Sequence, residues 1–199
     1  MLRSALFAVS SSLLCFSLVA CDRGDGMRSS TTRADAAPAN FDLKFIDTMS
    51  AHHQDALEMA KLAESKASHA ELRTMAVDMQ KAQKAEIDQM AGWRDAWSRG
   101  AATAVDHEMK GMKETMAGMD MGKLKSATGA DFDHAFIDMM VKHHAGAVTM
   151  ANEALAKATR PEVKELSKKI VSDQTREIAQ LRSWSAAWFD HAHEPARGK

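Results

Sequence analysis

The chain has 199 residues, 26 basic against 27 acidic side chains and a formal net charge of −1. This balance, with no basic patch interleaved with aromatics, excludes nucleic acid as a partner. The two cysteines, Cys15 and Cys21, both lie near the start, so a metal site later in the chain has only His, Met and carboxylates to use, and the usual zinc sites built on cysteine are excluded.

Residues 1–20 read as a secretory signal, with Arg3 as a short positive start and a largely apolar stretch from Leu6 to Val19 that is too short to span a bilayer. Leu18-Val19-Ala20-Cys21 resembles the lipobox of bacterial lipoproteins. The resemblance implies cleavage before Cys21, lipidation of its thiol, and a place in the cell envelope or periplasm, held to a membrane through the lipid alone. Asp22 follows, a residue linked in some Gram-negative bacteria to inner-membrane retention. Residues 21–40 are polar, small and Pro/Gly-containing, and read as a flexible tether.

From Phe41 onward the apolar period is helical. With Phe45 at zero and 100° per residue, Met49, His52, Ala56, Met59, Ala60 and Ala63 share one face, and His53 falls at about 80°, on its edge. The pattern predicts a helix over 41–66 and a second over 70–98, with Met75, Met79, Gln83, Glu86, Met90, Trp93 and Trp97 on one face. Two more follow at 132–157 and 161–190. Ser68 and Thr159 are candidate N-caps, and Pro161 suits a first helical turn. The short turns make each pair an antiparallel helix hairpin.

The second pair copies the first. Residues 41–99 and 132–190 are identical at 22 of 59 positions at a constant offset of 91, including the adjacent histidines, a glutamine and a glutamate. The expected fold is all-α: a four-helix bundle spanning 41–190, made of two repeated hairpins joined by a long crossover over 100–130, with a tail at 191–199. One long crossover between the second and third helices is the ferritin-like arrangement. A simple up-down-up-down bundle with a loose loop is the alternative.

A turn centred near 67–68 sets His52 opposite Gln83 and Met49 opposite Glu86, and likewise His143 by Gln174 and Met140 by Glu177. Buried carboxylates at Glu86 and Glu177 need partners, which the histidines can supply. Two His-His pairs with Met and Glu, His52, His53, His143 and His144 among them, point to a metal, since neutral imidazole is the commonest protein metal ligand. His52 and His143 aim at the core, while His53 and His144 either bind from the rim or pair with an acidic neighbour. Met109, Met112, Met116, Met119 and Met121 crowd the crossover with His107. Soft thioethers select soft ions such as Cu(I); flexible filler, or an amphipathic helix over 105–117 resting on the bundle, is the other reading. His191 and His193 in the tail are a weaker suggestion.

FIDTMSAHHQDALEMA and FIDMMVKHHAGAVTMA, each followed by Q-x-x-E-I and tryptophans, resemble the bacterial domain-of-unknown-function 305 family, placed in the ferritin-like superfamily. The resemblance covers about 40–190, in the family's two-copy form. It implies copper handling outside the cytoplasm, carried by His52, His53, His143 and His144 and more loosely by Met49, Met59, Met140, Met150 and the crossover methionines. Di-iron chemistry does not carry over, because no glutamate stands three residues before any of these histidines and there is no tyrosine. Three functions stay open: a binder of Cu(I), Ag(I) or another transition metal for buffering or resistance, with a copper-handling partner protein; a ferritin-like metal-dependent oxidoreductase; and a structural envelope protein with packed His–Glu pairs. The sequence leans away from an enzyme.

Overall fold

In a computed structural model, the described residues are 36–98, 100 and 102–189, with backbone alone for 36–40. The signal segment, Cys21 and the tail histidines lie outside them. The described residues form six α-helices and no strand: α1 Ala36–Lys66, α2 Ala70–Trp97, α3 Lys110–Gly118, α4 Met121–Ser126, α5 Gly129–Lys157 and α6 Pro161–Phe189. None of them is long and apolar enough to cross a membrane. Helix α1 begins at Ala36, inside the stretch expected to be tether; Pro38 falls in its first turn, where a missing N–H costs nothing.

Helix α1 packs along α2, α5 along α6, and α1 against α5. The turns between the paired helices are held from a distance. Asp133, at the start of α5, accepts the backbone N–H groups of Ser68 (2.9 Å) and His69 (3.0 Å) ahead of α2. Asp42, near the start of α1, accepts those of Thr159 (3.1 Å) and Arg160 (3.2 Å) ahead of α6. Each aspartate is fully buried and satisfies orphan donors at a helix start in the other repeat. Ser68 and Thr159 are therefore not the caps expected of them. His69 is the N-cap residue of α2 and makes no side-chain cap, and the Thr159 hydroxyl donates to Asp42. The exchange sets the start of each of α1 and α5 beside the end of the other, so the two run antiparallel. Stacking of His69 on Trp188 (3.7 Å) and of Arg160 over Trp97 (3.9 Å) repeats it in aromatic form.

The described residues of the crossover pack against the long helices. Its start is pinned to α1, where Asp47 accepts from Arg94 Nε (2.8 Å) and Ala104 N (2.9 Å), and Thr48 Oγ1 accepts from Asp106 N (2.9 Å). Helix α3 then lies on α5 at a contact that two glycines permit. A Cβ on Gly111 would stand 2.0 Å from the Gly146 carbonyl oxygen, and one on Gly146 would stand 2.0 Å from Thr115 Oγ1.

The apolar core is in two parts. One contains Ala56, Met59, Ala60 and Ala63 of α1, Leu72, Ala76 and Met79 of α2, Phe132, Phe136, Ile137 and Met140 of α5 and Leu181 of α6. The other contains Phe45–Met49, Met90, Ala147–Ala158 and Val163–Ile170, with Met109 and Met112 from the crossover. Between them every long helix carries polar residues: His52 and His53, Gln83 and Glu86, His143 and His144, Gln174 and Glu177.

Candidate metal centre

This polar layer is enclosed. All four histidines are essentially inaccessible, and the His52 and His143 rings face one another across the α1–α5 contact with centroids 3.7 Å apart. Burial, reinforced by the imidazoles of His53 and His144, pushes the His52 pKa well below its ordinary value. Burial followed by the charges of the other three histidines does the same at His143. Both rings are therefore neutral, and each carries one lone pair.

The hydrogen bonds fix where the lone pair of His52 points. Thr115 has one hydroxyl proton and donates it to Gly111 O (2.9 Å). Its 3.1 Å contact with His52 Nε2 must then be received, so the ring carries its proton on Nε2 and its lone pair on Nδ1. His53 Nε2 lies 2.7 Å from Glu86 Oε2. Lys169 Nζ holds the other oxygen of that carboxylate at 2.7 Å. Burial opposes charge on Glu86, but the hydrogen bonds and charges of His53 and Lys169 outweigh it and hold the carboxyl below its ordinary pKa. An ionised Glu86 can only accept, so His53 donates through Nε2, and its Nδ1 has no partner.

The second repeat is less tied. His144 Nε2 comes within 2.8 Å of Glu177 Oε2, but the ring N–H is out of line for a hydrogen bond, and neither nitrogen of His143 has a partner. Among the described residues, Nδ1 of His52 and His53, both ring nitrogens of His143 and His144, both amide atoms of Gln83 and Gln174 Oε1 are buried without partners. Such groups cost free energy unless a ligand completes them. No three His, Cys, Asp or Glu side chains among the described residues already converge as a metal site.

The structure brings the four histidines and both glutamates to one level. His53 and His144 are as buried as His52 and His143, and they take the acid-paired alternative rather than the rim. The register differs from expectation by about a turn: Glu86 meets His53, not Met49. Side chains in both helices lean toward their own N-termini, so antiparallel partners meet when the α2 residue lies farther from the turn than the α1 residue.

The methionines divide. Met49, Met150, Met109 and Met112 share the core part that packs under α3, while Met59 and Met140 lie in the other. Met109 and Met112 are thus core residues, Met119 and Met121 are half-buried, and Met116 is 49% exposed. Sequence reasoning missed Thr115, in the unrepeated crossover, and Lys169, whose counterpart one repeat earlier is Asp78.

The sequence model of the family described as "Domain of unknown function (DUF305)" matches residues 42–185. The chain belongs to this family. Its all-helical fold is consistent with the ferritin-like superfamily. Among solved structures it is similar to CopM in an Ag-bound form, at 34% identity over 74% of this chain and 97% of that one, with a TM-score of 0.64. The Cu(I)-bound form of CopM gives the same identity, coverage and TM-score. A DUF305 protein of Streptomyces coelicolor, designated a secreted protein, is 28% identical over 76% of this chain and 95% of its own, with a TM-score of 0.67. No curated protein matches the chain.

Proposed function

We propose that this DUF305 chain is a cell-envelope metal-binding protein that captures Cu(I) or Ag(I) for buffering or resistance, without turning over a substrate. The observation that carries the reading is the polar layer: four buried imidazoles with unpartnered nitrogens, enclosed between two apolar parts of the core. Imidazole and thioether donors suit copper, and thioethers favour its reduced state. His52, His53, His143 and His144 are the inner donors, and Glu86 and Glu177 orient His53 and His144 from behind. Met49 and Met140, each one helical turn before a histidine pair, are the sulfur donors of that level, with Met59 and Met150 beyond them. Met109 and Met112 extend the thioether set from the crossover, and the outer Met116, Met119 and Met121 add thioethers at its surface.

On this reading the two helix pairs close as a four-helix bundle, and the crossover with α3 and α4 gives the ferritin-like connection. The Cu(I)- and Ag-bound forms of CopM support the choice of metal. The lipobox-like Leu18-Val19-Ala20-Cys21 and the secreted Streptomyces relative support envelope placement. Delivery to a copper-handling partner protein would follow capture.

The test is a Cu(I) titration against a chromophoric competitor chelator, comparing the wild type with His52→Ala/His143→Ala. The expected result is tight binding that falls steeply in the double variant. Unchanged affinity and stoichiometry would remove the inner-site assignment.

A further inference from the structure

The histidine layer is closed off by the protein, so a metal needs a way in. On the α1–α5 side α3 covers it, with Thr115 on His52. On the opposite side a cavity of about 220 Å³ opens between α2 and α6. Its wall includes Gln83 and Gln174, which are almost fully buried and carry unpartnered amide atoms. Glu86 and Glu177 also line it, and their carboxylates are the ones that touch His53 and His144. One layer of side chains therefore separates this cavity from the imidazoles.

The two halves of the opening are electrostatically unlike. Lys169 reaches from α6 to Glu86 (2.7 Å) and Asp173 (2.9 Å), so a cation already occupies the approach to His53. At the equivalent position beside Glu177 stands Asp78, an exposed acid that Lys81 reaches only at 3.9 Å, while Arg176 on the same wall pairs with Asp173 (2.8 Å). Among the described residues Glu177 has no ion-pair partner besides His144, and its side chain is 22% exposed against 8% for Glu86.

We propose that the cavity between α2 and α6 is the metal entry port, that the cation passes Glu177 to reach His144, and that Lys169 bars the matching route past Glu86. The inference rests on the metal-binding reading above. A cation is attracted by the Asp78–Glu177 side and repelled by Lys169, so charge placement sets the rate of uptake.

The test is rapid mixing of the intact chain with Ag(I), followed by tryptophan fluorescence, with bound silver measured at the end point. Asp78→Lys copies the Lys169 arrangement into the open half and should slow uptake roughly tenfold. Ala82→Trp, at an exposed position on the cavity wall, should slow it by obstruction. Lys169→Ala should speed it several-fold. Asp88→Lys, an exposed acid of α2 outside the cavity, should leave the rate unchanged. Wild-type rates in Asp78→Lys and Ala82→Trp, with binding still lost in His52→Ala/His143→Ala, would overturn the port and leave the metal-binding reading standing. No silver bound by the wild type would overturn both.

Discussion

In the first repeat each imidazole is held by its Nε2, His52 by Thr115 at 3.1 Å and His53 by Glu86 at 2.7 Å. In the second, His143 and His144 have the same sequence setting and make no hydrogen bond through either ring nitrogen. The copies agree in what the repeat encodes and differ where an unrepeated residue intervenes: Thr115 comes from the crossover, and Lys169 stands where the other copy has Asp78. Duplicated sequence therefore does not give duplicated chemistry. The first pair is held at both rings, and the second is held only through the 2.8 Å contact of His144 with Glu177.

The largest expected effect follows from that difference. Glu86→Ala strands buried His53 and releases Lys169, and removing one partner of a buried pair costs about 3–5 kcal/mol. Glu177→Ala removes a more exposed, poorly aligned partner and should cost roughly 1 kcal/mol. Urea unfolding of both variants checks this, and equal losses would dissolve the asymmetry. Next is Gly146→Ala, which forces Thr115 and α3 off α5; overpacking costs about 1–3 kcal/mol, read as a drop in Tm. Alanine at Gly92, where an added Cβ would meet nothing within 4 Å, should not lower it.

Asp42→Ala and Asp133→Ala should be matched, each losing a helix-start cap worth about 2 kcal/mol at the upper end of measured caps. A clear difference between them would break the symmetry of the two repeats.

The last prediction concerns pH dependence. His52 and His143 are neutral in the fold with pKa values below the unfolded value of about 6.5. The unfolded chain takes up protons there that the native chain refuses, so stability is full above about pH 6.5 and falls as the pH drops below it, by up to about 1.4 kcal/mol per pH unit per histidine. Denaturation at pH 7.5 and 5.5 should show the loss, and His143→Gln should flatten it.

The four long helices were legible because their helical period runs for more than six turns, and the polar layer was legible because it interrupts the apolar stripe at matched places in both copies. Three features were not. Helix α3 is short and mixes glycine with charge, so only its tertiary seat against Gly146 explains why Gly111 and Thr115 face inward. The burial of His53 was hidden because α1 packs against both α2 and α5, which widens its covered arc past the single stripe a helical wheel assumes. The role of Asp42 and Asp133 was equally hidden: the repeat marked them, but nothing local says that a carboxylate caps a turn more than sixty residues away.

That capping has a consequence for the origin of the chain. Each repeat supplies to the other the carboxylate that it receives, which is the reciprocity of a two-fold symmetric dimer. A chain carrying a single copy would have nothing of its own to complete its turn, and would obtain it by pairing with a second molecule. Residues 36–99 made alone should therefore be either unfolded or paired, as circular dichroism and sedimentation would show, and the crossover is then the covalent join that made an intermolecular exchange permanent.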